Sequence, residues 1–225
     1  MTLMEELLTI EAEVKYLLGL KDRSYERTLM KQLLKILEEA EFLFGPGDRS
    51  YQLLEPRITE CAYGKTYIFY PLRLTRIYLT SGSKAGGYFA SYELAHEAIH
   101  VLGPVPWGQG ATMLEEGLAT YFSLKHVNRI YGLGWESVDD PKYDAALRAV
   151  SKLMAKDEFV IKKLRRHQPL ISGIDERLLV EVAGIEPHHA KFLCTDFESY
   201  GRMPWSTTVT QGAQRLVSCL RSVWD

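Results

Sequence analysis

Apolar residues recur at every third or fourth position through most of the first fifty residues. This spacing places them along one face of a helix and predicts two amphipathic helices, over residues 3–17 and 29–44. The polar segment 21–24 between them is short, so the helices are expected to form a hairpin that ends at residues 45–48. We interpret this hairpin as scaffold with no part in chemistry.

From residue 56 onward the helical spacing gives way to short runs rich in β-branched and aromatic residues. These runs predict strands over residues 58–63, 66–70 and 74–80, with a turn at 63–66 between the first two. The pattern therefore indicates a small, mainly antiparallel sheet and, with the helices around it, an α+β fold.

The segment from His96 to His100 reads His-Glu-Ala-Ile-His. In a helix the two histidines lie one turn apart on the same face, where their imidazoles can bind one divalent metal ion. Glu97 would then lie beside a water molecule bound to that metal. A helix is expected over residues 92–102, with Ser91 as its N-cap and Gly103 and two nearby prolines ending it. The alternative is two ordinary histidines on a half-exposed helix.

A second motif, Leu-Glu-Glu-Gly-Leu-Ala-Thr-Tyr, begins at residue 114. Together the two motifs resemble those of the gluzincins, zinc metallopeptidases that combine H-E-x-x-H on one helix with a glutamate from the next. The resemblance covers residues 66–126 and maps the third zinc ligand onto Glu116, with Glu115 as the fallback. Thr120, one turn later, is expected to hydrogen-bond a ligand histidine.

The resemblance implies a zincin-like core that hydrolyses peptide bonds with Zn²⁺. Two imidazoles and one carboxylate leave the metal one open position for water, and Glu97 would act as the general base. A downstream tyrosine or histidine commonly stabilises the oxyanion in this group; five residues are candidates, namely Tyr143, His167, His188, His189 and Tyr200. The related metzincin pattern fits less well because Pro106 occupies its third ligand position.

Zincins generally bind an extended substrate along the edge strand of their sheet. Residues 85–89 are one candidate for that strand because their glycines allow a close backbone approach, and Gly86, Gly87 and Tyr88 would then bind substrate. A flexible loop after residues 81–84 explains the same composition equally well. Both interpretations remain open at this point.

Short helices are expected after residue 126, over residues 141–155, 157–166, 175–183, 187–195 and 211–223. Residues 162–166 carry a basic cluster that is typical of a solvated helix face. Residues 179–193 resemble a helix-hairpin-helix DNA-binding element, but Glu186 stands at its second glycine position and would repel a phosphate. An alternative function is therefore a catalytically degenerate zincin that acts as a binding or regulatory module and contacts DNA through this segment.

Composition sets the remaining expectations. A chain of 225 residues with 46% hydrophobic and 25% charged residues is ordinary for a soluble globular protein. Its net charge of −2 gives no general attraction to nucleic acid or membrane. The sequence shows neither a signal peptide nor a membrane-spanning apolar run, and its three widely spaced cysteines fit free thiols, so a cytoplasmic location is expected.

We divide the chain into three parts: a helical hairpin over residues 1–50, a zincin-like catalytic core over 51–135 and a helical subdomain over 136–225. The expected partner is a peptide or protein substrate. The oligomeric state, the substrate sequence and the choice between cleavage at an end and cleavage within a chain stay open.

Overall fold

The computed structural model describes residues 24–105 and 109–200. Over these residues the fold is α+β, with seven α-helices and one small sheet. The helices predicted over residues 3–17 and 211–223 lie outside the described residues, and so does the hairpin that the first of them would complete. None of the described helices combines the length and the apolar character needed to cross a bilayer.

The first described helix, α1 (Ser24–Phe44), confirms the second helix predicted from the apolar spacing. Its buried positions follow that spacing and form one stripe: Leu29, Leu33, Ile36, Ala40 and Phe44. This stripe packs against the helix that carries the two motif histidines and belongs to the main apolar core. The helix therefore supports the helix of the two motif histidines.

The sheet has four short strands: β1 (Gln52–Leu53), β2 (Arg57–Ile58), β3 (Lys65–Phe69) and β4 (Leu74–Leu79). Strand β4 is central; β1 and β2 pair with it in parallel along one edge, and β3 pairs with it antiparallel along the other. The expectation of a mainly antiparallel sheet is wrong, because two of the three strand pairings are parallel. The turn predicted at residues 63–66 does not join two paired strands, since β2 and β3 each pair with β4, on opposite sides of it.

The helix that carries His96 and His100, α2 (Gly87–Leu102), begins five residues before its predicted start at Tyr92. Gly86 is its N-cap with a φ of +69°, and Gly87 has a φ of +66°, which explains the two glycines. The edge strand considered for residues 85–89 is therefore wrong. The predicted cap, Ser91, is instead buried within the helix and hydrogen-bonds the side chains of Gln32 and Tyr131. The predicted end at Gly103 is confirmed.

The remaining helices follow the predicted order, with small shifts of their ends. They are α3 (Met113–Tyr131), α4 (Pro141–Lys156), α5 (Val160–Arg165), α6 (Glu176–Ala183) and α7 (Pro187–Leu193). Side chains cap three of them at the N-terminus, namely Thr112 on α3, Asp140 on α4 and Asp175 on α6. One continuous apolar core joins side chains from α1 through α7.

Arg165 connects the ends of two helices through hydrogen bonds to their backbone. The expectation that residues 162–166 form a solvated basic face is therefore wrong for this residue. Its guanidinium is buried and donates hydrogen bonds to backbone carbonyls at the ends of two helices and nearby, those of Phe44, Gly45, Pro46, Leu102 and Pro169. Lys162 also turns inward, onto the carbonyl of Phe42. The basic cluster thus contributes to packing, and only part of it faces solvent.

The helix-turn-helix at residues 176–193 forms as expected, with Gly184 in the left-handed conformation between its two helices. Four of its side chains are buried in the main core: Leu179, Ile185, Ala190 and Leu193. Glu186 is exposed at the turn. These features fit a packing unit and give no observation that favours DNA binding.

Candidate metal centre

The two motif helices, α2 and α3, pack closely enough to bring their polar side chains together. Gly117, the glycine of the second motif, lies on the side of α3 that faces α4 and allows these two helices to pack closely. A Cβ at Gly117 would lie 2.6 Å from the carbonyl oxygen of Ala146 in α4, so a larger residue would push α4 away. Only glycine lets α3 lie between α2 and α4 at these distances.

His96, His100 and Glu116 converge at the α2–α3 contact. Nε2 of His96 lies 3.3 Å from Oε2 of Glu116, and Nε2 of His100 lies 3.6 Å from Oε1 of the same carboxylate. All three side chains offer a ligand atom within 4.8 Å of the other two. The structure thus brings together the three residues that the sequence predicts as metal ligands.

The two nitrogen–oxygen distances are compatible with a bound divalent metal ion, for which zinc serves as the example. Ligand nitrogens and oxygens about 2.0–2.2 Å from a tetrahedral zinc lie roughly 3.3–3.6 Å from one another. In addition, Nδ1 of His96 and Oε2 of Glu116 are buried and make no hydrogen bond. A buried carboxylate oxygen without a donor is costly, and a cation bound beside it would remove that cost.

The charges at this point also favour a cation. Burial alone would lower the pKa of His100, but the carboxylates of Glu116, Glu115 and Glu97 raise it to about 10. Burial would raise the pKa of Glu116, but the two imidazoles outweigh burial and lower it. The metal-free site therefore attracts a proton to His100, and a divalent cation can replace that proton.

Glu97 is a buried residue of α2 and is only 4% exposed. Burial raises the pKa of its carboxyl group. Oε2 accepts a hydrogen bond of 2.9 Å from the hydroxyl of Thr66 on β3, and Oε1 lies on the side of Gly64. A carboxylate with a raised pKa, one oxygen held and the other open to the cavity, suits a general base.

Glu115 is not one of the three candidate ligands, but it contacts one of them, His100. Its Oε1 lies 2.7 Å from Nδ1 of His100, and its other oxygen accepts the hydroxyl of Ser172. A proton shared between Nδ1 and Glu115 leaves Nε2 of His100 free to face the metal. Thr120, predicted for this role, instead donates to the backbone carbonyl of Glu116.

Replacing Glu115 with alanine should weaken zinc binding by roughly 10–100-fold, the usual cost of losing an outer contact to a ligand histidine. Competition with a zinc chelator of known affinity measures this change. Glu115→Gln, which keeps an acceptor oxygen, should lose less, and Thr120→Ala should bind zinc as the wild type does. An equal loss in Glu115→Ala and Thr120→Ala would contradict this assignment.

The three predicted ligands line a cavity of about 360 Å³ together with Glu97 and the whole segment 63–68. That segment includes most of β3, which pairs only with β4 among the described strands and is therefore the edge strand beside the site. Gly86, Gly87 and Tyr88 do not line this cavity; Tyr88 packs against Phe89, Tyr131 and Trp135. The predicted substrate contact of residues 86–88 assumed an edge strand, and no such strand forms there.

Of the five candidates for an oxyanion donor, only Tyr143 lies at the cavity. Its ring centroid is 5.9 Å from that of His96, and burial, with the carboxylates of Glu116 and Glu97, raises the pKa of its hydroxyl. His189 bonds the carbonyl of Ala149, and Tyr200 packs on Phe192. His167 lies at a separate cavity and His188 is exposed.

Sequence reasoning missed Thr66 and Ser172 and gave Glu115 only as a fallback ligand. Thr66 lies 31 positions from Glu97, and Ser172 lies 57 positions from Glu115. Neither residue stands in a motif, so no local signal could have identified it.

No protein-family model, curated protein sequence or solved structure matches the chain. Two features indicate a function: the geometry of the candidate metal site and the resemblance of its two motifs to those of the gluzincins.

Proposed function

We propose that this protein is a zinc-dependent hydrolase of peptide bonds with a zincin-like catalytic core. One observation carries the proposal: His96, His100 and Glu116 converge on one point, and Glu97 lines the same cavity. Two imidazoles and one carboxylate leave a tetrahedral zinc one open position, as in catalytic rather than structural zinc sites. The carboxylate of Glu97 beside that position favours hydrolysis over other metal chemistry.

The proposed roles of the residues follow from their contacts. Bound zinc would lower the pKa of a water molecule and polarise the substrate carbonyl. Glu97 accepts the proton of the attacking water and later delivers it to the leaving amine, while Thr66 fixes the orientation of its carboxylate. Glu115 holds His100 in the tautomer that presents Nε2 to the metal site.

Two further parts of the site would act on the substrate. Tyr143 keeps its proton at neutral pH, as a tyrosine ordinarily does, and burial raises its pKa further. Its hydroxyl can therefore donate a hydrogen bond to the oxyanion. The outer edge of β3, which pairs with no second strand among the described residues, would offer backbone groups to an extended peptide lying in the cavity. This arrangement would place a scissile carbonyl between the metal site and Tyr143.

Elemental analysis and a cleavage assay on the full-length protein test the proposal. After purification and dialysis against zinc, we expect about one zinc ion per chain, and cleavage in a mixture of internally quenched peptides. A chelator should remove both the metal and the activity, and added zinc should restore both. A stable preference for iron, or a zinc-loaded protein that cleaves no peptide, would refute the proposal.

A further inference from the structure

A second cavity of about 550 Å³ lies next to the first one, beyond the metal site. The two cavities share five lining residues, and these are Tyr63, Gly64, His96, Glu97 and Tyr143. A metal ion held by His96 would therefore lie at the junction of the two cavities. The cleft continues past the site of chemistry in both directions, so neither side is closed by the described residues.

Aromatic and apolar side chains form one wall of the second cavity. Phe89 and Tyr92 extend into its lining from α2, and Val138 comes from the segment before α4. Phe89 is 42% exposed although it is large and apolar. Tyr92 packs edge-on against Trp135, with ring centroids 6.3 Å apart, so the neighbouring ring limits its movement. This wall is preformed and suited to a bulky apolar group.

Three carboxylates line this cavity, those of Glu93, Glu97 and Asp140. The carboxylate of Glu93 accepts hydrogen bonds from Thr80 and Ser83, and that of Asp140 caps α4 through the backbone N–H groups of Lys142 and Tyr143. Its lining contains no lysine or arginine among the described residues. The terminal carboxylate of a substrate would therefore find no lysine or arginine to pair with on this side.

Building on the proposed function, we propose that the second cavity is a subsite for a large aromatic or aliphatic side chain next to the scissile bond, within an internal stretch of the substrate. The aromatic and apolar wall binds the side chain, and the open cleft lets the peptide continue on both sides of the metal site. Acidic side chains are rejected because the carboxylates of Glu93, Glu97 and Asp140 repel them.

A set of internally quenched ten-residue peptides tests this specificity when a single position varies among phenylalanine, leucine, alanine, lysine and aspartate. With the zinc-loaded wild type we expect one internal cut beside the variable residue, identified by mass spectrometry. The kcat/KM should be roughly 10–200-fold higher for phenylalanine than for alanine, as for apolar pockets in general, and lowest for aspartate. Removal of single residues from either end, or equal cleavage of all five peptides, would overturn the inference.

Two substitutions locate the subsite. Phe89→Ala should lower kcat/KM for the phenylalanine peptide about tenfold, mainly through KM, and leave the alanine peptide nearly unchanged. Val138→Lys should raise the rate for the aspartate peptide relative to the wild type. The control is Phe42→Ala, because Phe42 is 65% exposed on α1 and lines neither cavity. The subsite is misassigned if Phe89→Ala and Phe42→Ala give the same profile.

Binding separates failure of this inference from failure of the proposed function. Zinc-loaded Glu97→Gln should bind the phenylalanine peptide more tightly than the aspartate peptide, measured by calorimetry without turnover. A protein that cleaves nothing yet keeps this preference would refute the hydrolase and uphold the subsite. A protein that cleaves peptides without any such preference in binding or rate would do the reverse.

Discussion

Glu97→Gln should retain zinc at the wild-type stoichiometry and lose peptide hydrolysis by a factor of about 10²–10⁴. The amide keeps the size of the carboxylate and can still accept the hydroxyl of Thr66, so the surroundings of the side chain change little. It cannot take a proton from the attacking water. The loss should fall on kcat, with KM nearly constant, because the carboxylate acts on the reacting atoms and not on substrate binding.

The measurement needs steady-state kinetics and metal analysis on the same protein samples. Glu60→Gln is a suitable control because Glu60 is exposed, pairs with Lys84 and lines neither cavity. That variant should keep wild-type kcat and KM. Full activity in Glu97→Gln would show that another group accepts the proton, and loss of zinc with the activity would show that Glu97 helps to hold the metal.

The candidate ligands could be predicted from the sequence because helical spacing is a local property. His96 and His100 are four positions apart, and any regular helix brings them to one face. Glu116 could be assigned only through the resemblance to gluzincins, since fifteen intervening residues do not by themselves fix how α3 approaches α2. The structure brings Glu116 to both imidazoles.

The partners of these residues could not be predicted, since they depend on contacts between distant segments. Thr120 looked suitable because it lies one turn after Glu116, yet Thr hydroxyls in helices commonly bond the carbonyl four residues earlier, as here. Glu115 was considered only as the fallback ligand. Its carboxylate is 1% exposed and contacts His100 through one oxygen. The other oxygen accepts the hydroxyl of Ser172, a residue far away in the sequence.

The sheet shows a similar limit. Strands β3 and β4 were predicted within one residue of their observed ends, because each has enough β-branched and aromatic residues to be recognised as a strand. Strands β1 and β2 are two residues each, too short to leave a periodic signal, and their parallel pairing with β4 reverses the expected topology. Gly86 and Gly87 lie at the start of α2. The sequence of this segment is equally compatible with a strand or a loop, so it could not predict the helix start.

Glu116→Ala should abolish stoichiometric zinc binding and all hydrolysis. The substitution removes one of three ligands and also the negative charge that faces both imidazoles, at 3.3 and 3.6 Å. The loss of affinity should therefore exceed the roughly 10–100-fold expected for an outer contact such as that of Glu115. Chelator competition on the two alanine variants, with circular dichroism to verify folding, measures the difference.

The comparison of the two neighbouring glutamates decides the ligand set. If Glu115→Ala loses more zinc than Glu116→Ala, the ligand assignment is reversed and α3 must be rotated relative to α2. If neither variant changes the affinity, the two histidines are an ordinary pair on a partly buried helix, neutralised by nearby carboxylates. Since the His96 and His100 side chains are only 13% and 15% exposed beside three acidic groups, we expect the metal, not a proton, to balance that charge in the active protein.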